Sequence, residues 1–121
     1  MISLDDYFMG RQQTYRSELT DEVKRNAPET VRRANLLLNA FYADNPGAAT
    51  RKVNSGWRPP SLNATVPGAA KNSAHTTGQA VDLSDDDEEL DDWLMSPLGE
   101  QVLRDLKLRH EHPDYTSRWA H

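Results

Sequence analysis

The sequence contains no cysteine among its 121 residues. Disulfide bonds are therefore excluded, and cysteine usage gives no indication of the redox compartment. No apolar run approaches the roughly 20 residues that span a bilayer. The N-terminus carries Asp5 and Asp6 and lacks the basic and apolar segments of a secretory signal. We expect a protein that is made in the cytoplasm, has no signal peptide and has no membrane span.

The sequence also lacks an excess of positive charge. Lysine and arginine number 14 against 19 aspartates and glutamates, the net charge is −5, and no basic stripe is present. These charges argue against a nucleic-acid partner. A hydrophobic content of 36% fits a single α+β domain over residues 1–121, with an open and wet cleft, better than a tightly packed barrel.

Residues 1–50 are expected to be mainly helical. A short helix fits residues 5–16, and Thr20 is placed to cap a further turn. Pro28 suits the first position of a longer helix that ends near residue 44, because its missing N–H costs nothing at that position. The apolar residues of this helix recur at helical spacing at Val31, Ala34, Leu37, Leu38 and Phe41.

Residues 51–121 are expected to form a small antiparallel sheet with further helices. Alternating side chains predict a strand over 53–57, small and turn-forming residues predict a long loop over 59–73, and an apolar run predicts a buried strand over 80–83. A helix is predicted to contain Leu90, Trp93 and Leu94. A second helix is predicted to have Ser96 as its N-cap and Pro97 as its first residue, and its side chains expected to face the core are Val102, Leu103 and Leu106. Two further strands, or a terminal hairpin, are predicted over 106–109 and 116–121.

The acidic run Asp85-Asp-Asp-Glu-Glu89 raises the question of a calcium site. It lacks the alternating ligands and the central glycine of an EF-hand loop. The run is therefore predicted to be a solvated acidic face that begins a helix.

The stretch from Ser73 to Asp82 carries the chemistry. His75 and Asp82 are two metal-ligand types seven positions apart, on either side of Gly78. A catalytic zinc site takes three protein ligands and keeps one open position for water. Asp82 follows Val81 in an apolar strand, where an unpaired carboxylate would be costly and a cation partner is physically sensible. The alternative is a surface histidine in a loop and an aspartate that caps a turn.

The pattern Ser73-x-His75-x-x-Gly78-x-Ala80-x-Asp82 resembles the signature of the D-Ala-D-Ala carboxypeptidase family of zinc peptidases. That family includes D,D-carboxypeptidases, D,D-dipeptidases and phage L-alanyl-D-glutamate endolysins. Two more blocks are similar to it in the same order: Ser55-Gly-Trp-Arg58 and Trp119-Ala-His121. The opening residues 1–11 resemble phage and prophage members. The resemblance implies a hedgehog/D,D-peptidase-like fold, in which a small antiparallel sheet carries the metal site and helices pack against it.

The resemblance implies that one Zn²⁺ is held by His75, Asp82 and His121. In an extended segment Trp119 and His121 share a face, so Trp119 would wall the metal site. The alternative for His121 is a disordered chain end. Family members usually continue past this histidine, so truncation of the chain after it stays open.

The resemblance also implies the other site residues. Arg58 is expected to stabilise a polarised carbonyl oxygen or to hold a substrate carboxylate, with a salt bridge to residues 85–92 as its alternative. Ser55 and Ser73 are expected to orient neighbours in the substrate site through hydrogen bonds. The residues that remain to supply a general base are Glu111 as first choice, Asp114 as second and His112, because Arg118 stands where many members carry an acid. A solvated surface carboxylate is the alternative for Glu111.

The function that the resemblance implies is zinc-dependent hydrolysis of a peptide bond in bacterial peptidoglycan stem peptides. Carboxypeptidase and L-Ala-D-Glu endopeptidase activities both stay open. The protein is expected to act at the periplasm or cell wall, with a phage holin, a virion or cell lysis bringing it there. The alternatives are a virion or tail-associated structural protein that keeps the fold and zinc without turnover, and a binding module without metal.

Overall fold

The computed structural model describes residues 1–67, residues 73–110 and the backbone of residues 119–120. The α-helices of this part of the chain are α1 (Leu4–Phe8), α2 (Arg11–Thr14), α3 (Asp21–Asp44), α4 (Pro60–Asn63), α5 (Glu89–Leu94) and α6 (Pro97–Asp105). Its strands are β1 (Val53–Ser55), β2 (Asp82–Ser84) and β3 (Trp119–Ala120). Short 3₁₀ helices cover Arg16–Glu18 and Ala74–Thr77. Helices and a small antiparallel sheet make an α+β protein, as predicted.

The sheet has the order β1-β2-β3, and both pairings are antiparallel. The strand predicted over 53–57 ends two positions early, at Ser55, and the strand predicted over 80–83 is found at Asp82–Ser84. Residues 106–109 form no strand, because the chain turns at the end of α6 and continues irregularly to residue 110. The strand predicted over 116–121 is present at Trp119–Ala120, and its other residues lie outside the described part of the chain.

The long helix α3 begins at Asp21, seven positions before Pro28, and Pro28 lies inside it. The prediction that Pro28 begins the helix is therefore wrong, whereas the cap at Thr20 is confirmed, since its Oγ1 accepts from the N–H of Val23 at 3.2 Å. A proline inside a helix lacks the N–H of one turn bond. Val23 and Ala27 are buried with the later apolar stripe, and their burial favours one continuous helix.

The predicted helix over 5–16 is divided into α1 and α2, because Met9 and Gly10 both adopt left-handed backbone conformations. Tyr7 and Phe8 of α1 are buried against the sheet side of the core. Gly56 permits this packing, since a Cβ at that position would lie 2.0 Å from the carbonyl oxygen of Tyr7. The close approach of Tyr7 therefore explains why a glycine stands in the Ser55-Gly-Trp-Arg58 block.

The predicted loop over 59–73 contains the short helix α4, with Pro60 at its first position. Downstream, the cap at Ser96 is confirmed, since its Oγ accepts from the N–H of Gly99 at 3.2 Å. The core is one cluster that joins α1, α3, the sheet and α5, and its members are Ile2, Tyr7, Phe8, Val23, Ala27, Val31, Ala34, Leu37, Leu38, Phe41, Trp57, Leu83, Leu90, Trp93 and Leu94. The side chains that were predicted to face the core from α6 are partly buried and pack against this cluster; they are Val102, Leu103 and Leu106.

Within the described residues, no helix combines the length and the apolar character needed to cross a membrane.

Candidate metal centre

His75 and Asp82 meet in the folded chain. The Nε2 atom of His75 lies 3.4 Å from Oδ2 of Asp82, and the two side chains are 2% and 10% exposed. His75 stands in the 3₁₀ helix Ala74–Thr77, and Asp82 is the first residue of β2. The reading of these residues as a surface histidine and a turn cap does not fit their burial. Both residues have at least one further polar or ring contact.

The second ring nitrogen of His75, Nδ1, fixes the orientation of the imidazole ring. Nδ1 lies 2.8 Å from the carbonyl oxygen of Gly56. A carbonyl only accepts hydrogen bonds, so Nδ1 carries the proton in this contact when the ring is neutral. The lone pair is then on Nε2, the atom that faces Asp82. Metal-bound histidines commonly donate their second nitrogen to a carbonyl in this way.

The spacing of the two facing atoms bears on their chemistry. A charge-assisted N–H···O hydrogen bond is usually about 2.7–2.9 Å long. Zinc binds imidazole nitrogen and carboxylate oxygen at about 2.0–2.2 Å in tetrahedral geometry, so two ligands of one ion lie about 3.4 Å apart. The 3.4 Å between Nε2 and Oδ2 fits two ligands of a shared ion.

The segment between the two residues is held by side chains from the N-terminal half. Tyr7 donates its hydroxyl to the carbonyl of Ala80 at 2.8 Å, and Thr30 donates to the carbonyl of Gly78 at 2.6 Å. Similar bonds to the neighbouring carbonyls come from the amide of Asn26 to Thr77 and from the indole N–H of Trp57 to Thr76. These bonds satisfy backbone acceptors that a buried segment could not leave unpaired. Helices α1 and α3 therefore fix the path from His75 to Asp82.

Two residues of the motif shape this path locally. Ser73 caps the 3₁₀ helix, since its Oγ accepts from the N–H of His75 at 3.2 Å. Gly78 has a φ of +79°, a left-handed conformation that side chains rarely adopt, and ends the same helix. The position predicted to orient its neighbours through hydrogen bonds, Ser73, does so.

Tyr7 stays a donor in this arrangement. Burial raises the pKa of Tyr7 above its ordinary value, and the nearby carboxylate of Asp82 raises it further. The phenol is therefore protonated across the physiological range and continues to hold the Ala80 carbonyl.

Arg58 is attached to the site through its backbone. Its N–H donates to the carbonyl of His75 at 3.0 Å, and its guanidinium donates to Oδ1 of the buried Asn63 at 3.0 Å. The alternative of a salt bridge from Arg58 to residues 85–92 is not seen in the described part of the chain. Ser55 stands opposite Asp82 in the pairing of β1 and β2, so it lies at the edge of the same centre.

Several predicted site residues lie outside the described part of the chain. They are Glu111, His112, Asp114 and His121, together with the side chain of Trp119. Within residues 1–67 and 73–110, no three histidine, aspartate or glutamate side chains cluster as a complete metal site. The structure thus brings two of the three expected ligands together.

Sequence reasoning missed a second buried polar cluster, which holds Arg51, Asp85, Asp91 and His110. Asp85 is fully buried and accepts from the N–H groups of Leu90 and Asp91 at 2.9 and 2.8 Å. The prediction of a solvated face is wrong for Asp85 and Asp91, although residues 86–89 are exposed. The acidic run does begin a helix as predicted, since α5 begins at Glu89, and the carboxylate of Asp85 accepts from two N–H groups in the first turn of α5.

Charges of both signs hold this second cluster together. The guanidinium of Arg51 lies 3.3 Å from Asp85 and 2.8 Å from Asp87, and it also covers the ring of Phe41 at 5.1 Å. Asp91 pairs with Nε2 of His110 at 2.7 Å. Burial raises the pKa of Asp91 above its ordinary value, while the hydrogen bond from His110 lowers it. No spacing in the sequence distinguishes Asp85 from its acidic neighbours, and only tertiary packing does.

Comparisons with protein-family models, with curated proteins and with solved structures gave no match to this chain.

Proposed function

We propose that this protein is a zinc-dependent peptidase that cleaves a peptide bond in bacterial peptidoglycan stem peptides. The observation that carries the proposal is the buried pair of His75 Nε2 and Asp82 Oδ2 at the spacing of two ligands of one ion. The order of the three sequence blocks around this pair supports the peptidase assignment. The fold that we propose with it is the hedgehog/D,D-peptidase-like one, and the α+β architecture agrees with it.

His121, the third ligand that the sequence resemblance implies, directly follows β3 in the sequence. Leu83 pairs with Ala120, and Ser84 pairs with Trp119, in the antiparallel ladder of β2 and β3. Strand β3 therefore lies next to β2, the strand that begins at Asp82. We therefore propose one zinc ion held by His75, Asp82 and His121, with Trp119 at the wall of the site.

We propose the following roles for the site residues in hydrolysis. If His75, Asp82 and His121 hold a zinc ion, the ion would supply a bound water with a pKa of about 7 and would act as a Lewis acid toward the scissile carbonyl. Arg58, fixed beside His75 by its backbone N–H, would neutralise developing negative charge or hold a substrate carboxylate. Glu111, or Asp114, would carry the proton. Ser55 and Ser73 would keep the substrate site and the His75 turn in place.

The place of action follows from the substrate. Peptidoglycan lies outside the cytoplasm, so we propose action at the periplasm or cell wall, or as part of a virion, with delivery by a holin, a virion or cell lysis. The partner that we propose is the stem peptide.

Digestion of purified peptidoglycan tests this proposal. The zinc-loaded 121-residue chain should release peptide fragments whose masses identify the bond cleaved, and an EDTA-stripped sample should release none. A matched exposed variant, Asp86→Ala, should behave as the wild type. Zinc-loaded protein that leaves both intact sacculi and isolated muropeptides unchanged would contradict the proposal.

One sequence feature favours a second candidate. Arg118 stands where many members of the resembled family carry an acid. The second candidate is a virion or tail-associated structural protein in which zinc stabilises the fold without turnover. It predicts zinc-dependent thermal stabilisation together with no peptidoglycan release in the same digestion.

A further inference from the structure

Helix α3 carries a proline in its interior, where proline is a costly residue. Pro28 is exposed, and so is Lys24 one turn earlier. A proline has no N–H to offer the carbonyl one turn before it, and this break in the ladder bends a helix. Because both residues lie on the solvent side, we expect the bend to curve α3 around the core, with its buried face on the inner side of the curve.

The turn that follows His75 packs on this buried face. Gly78 is itself buried and ends the 3₁₀ helix Ala74–Thr77. A Cβ built on Gly78 would lie 3.4 Å from backbone atoms of both Val23 and Ala27, two buried residues of α3 that precede Pro28. The turn therefore lies directly against the helix backbone at the position of the proline.

Two side chains of α3 hold the carbonyls of this turn. Asn26 and Thr30 are four positions apart, on either side of Pro28, and therefore share one face of the helix. The amide of Asn26 donates to the carbonyl of Thr77 at 3.0 Å. The hydroxyl of Thr30 donates to the carbonyl of Gly78 at 2.6 Å. Two successive backbone acceptors are thus held by two donors from a single helix face.

The hold of α3 on the turn continues to His75. The N–H of Gly78 donates to the carbonyl of His75 at 3.4 Å. The hydroxyl of Thr30 is therefore linked to the backbone of His75 through two successive hydrogen bonds. At its other end the imidazole is held by the carbonyl of Gly56, at 2.8 Å from Nδ1. A shift of the turn would therefore change the direction in which Nε2 faces Asp82.

We propose that Asn26 and Thr30 are positioning residues of the candidate metal centre, and that Pro28 gives α3 the bend that lets both donors reach the turn. This inference rests on the metal centre of the proposed peptidase and deepens it. Groups that orient metal ligands directly change metal affinity by about 10- to 100-fold. Because Asn26 and Thr30 act through the backbone, we expect a smaller change, of about 3- to 10-fold.

Zinc affinity measures the role of Thr30 without hydrolysis. Competition with a chelator gives the zinc Kd, and the visible spectrum of the Co²⁺-loaded chain reports the coordination geometry. Thr30→Val keeps the shape of the side chain, removes the hydroxyl, and should raise Kd about 3- to 10-fold and change the spectrum. Thr30→Ser should restore both, and Asn26→Ala should raise Kd as well. A Thr30→Val variant with the Kd and spectrum of the wild type overturns the proposal.

A variant that is destabilised elsewhere is the matched control. Asp85→Ala removes the acceptor of two N–H groups in α5 and should leave the zinc Kd unchanged. If Asp85→Ala raises Kd as much as Thr30→Val does, loss of stability explains both results and the positioning role is overturned.

The role of the bend has its own variant. Pro28→Ala restores an N–H for the carbonyl of Lys24 and should straighten α3. It should raise the zinc Kd without lowering the thermal midpoint of the zinc-free protein. A wild-type Kd in this variant overturns the role of Pro28.

The zinc-free chain separates this inference from the proposed function. In ¹⁵N NMR, Thr30→Val should shift the ring-nitrogen signals of His75, whereas the exposed control Thr14→Val should not. If these shifts occur but the wild type binds no zinc, the proposed function is contradicted and the hold of Thr30 on His75 stands. If the wild type binds zinc and the His75 signals are unchanged in Thr30→Val, the positioning role is overturned and the proposed function stands.

Discussion

Two buried aspartates three positions apart, Asp82 and Asp85, have opposite surroundings. Asp85 is surrounded by donors that belong to the fold: two backbone N–H groups of α5 and the guanidinium of Arg51. Asp82 instead faces Nε2 of His75, at a spacing suited to two ligands of a shared ion. The difference teaches that burial of a carboxylate does not by itself indicate a functional site, and that the kind of atom facing it does.

Removing Asp85 should cause the largest loss of stability. Asp85→Ala leaves Arg51 buried without its fully buried partner and leaves two N–H groups of α5 without an acceptor. Loss of one partner of a buried pair costs about 3–5 kcal/mol. Urea unfolding of the zinc-free protein should show this loss. The exposed neighbour provides the control, since Asp86→Ala should change the free energy of unfolding by less than about 0.5 kcal/mol. Equal effects of the two variants would contradict the structural role of Asp85.

Removing Asp82 should act through zinc. A ligand at 100 to 1,000 times its Kd stabilises the folded state by about 2.7–4.1 kcal/mol. The wild type and Asp85→Ala should both gain this increment when zinc is added, whereas Asp82→Ala and His75→Ala should gain none. Thermal unfolding with zinc and with EDTA measures the increment. If zinc stabilises the Asp82→Ala variant as much as it stabilises the wild type, then Asp82 does not bind the ion, and the proposed difference between Asp82 and Asp85 is contradicted.

A smaller effect is expected from the support of the His75–Asp82 segment. Tyr7→Phe removes the hydroxyl that donates to the Ala80 carbonyl and leaves a buried acceptor unpaired. The cost should be about 1–3 kcal/mol in urea unfolding. Zinc affinity should fall as well, because the segment that sets the His75–Asp82 spacing loses one of its fixed points. As a control, Tyr15→Phe removes a hydroxyl from a partly exposed tyrosine. Zinc affinity that is the same in Tyr7→Phe as in Tyr15→Phe would show that this support does not reach the metal site.

The smallest effect concerns pH and the acidic cluster. Burial raises the pKa of Asp91 in the folded state, and the charge of Asp85 raises it as well. A raised carboxyl pKa disfavours the ionised form, so the stabilisation is present below the ordinary value of 3.8 and is lost as pH rises through the folded pKa. His110→Gln removes the partner that lowers this pKa, and the loss should therefore be larger in that variant.

The free energy of unfolding between pH 3 and pH 7 measures this effect. Asp91→Asn is the matched control, because it removes the titrating group and should remove the extra pH dependence. A His110→Gln variant whose pH profile is the same as that of the wild type would show that the 2.7 Å contact does not influence Asp91.

Local signals predicted the parts of the fold that depend on nearby residues. The caps at Thr20 and Ser96 are confirmed because a hydroxyl and an N–H three residues later suffice to form them. The predicted start of α3 at Pro28 is wrong because the burial of Val23 and Ala27 outweighs the preference of proline for the first position of a helix. The strand bounds were displaced because register depends on partner strands that the sequence does not reveal.

For the candidate site, too, local features could be predicted from the sequence and long-range contacts could not. Burial of Asp82 was predictable from its apolar neighbours, and the left-handed turn at Gly78 from the glycine itself. The contacts of Arg51 with Asp85 and of Arg11 with Trp57 join residues more than 30 positions apart, so no local pattern could indicate them. Long-range pairing of this kind is set by the packing of α1, α3 and the sheet.

The most direct test of the account is the zinc content and zinc coordination of the wild type and of two variants, by elemental analysis and X-ray absorption. We predict one zinc per chain in the wild type, bound by nitrogen and oxygen donors that include two imidazoles, and no stoichiometric zinc in His75→Ala or Asp82→Ala. Full zinc content in either variant, or a wild type that takes up no zinc at saturating concentration, would contradict the claim that His75 and Asp82 bind a common ion.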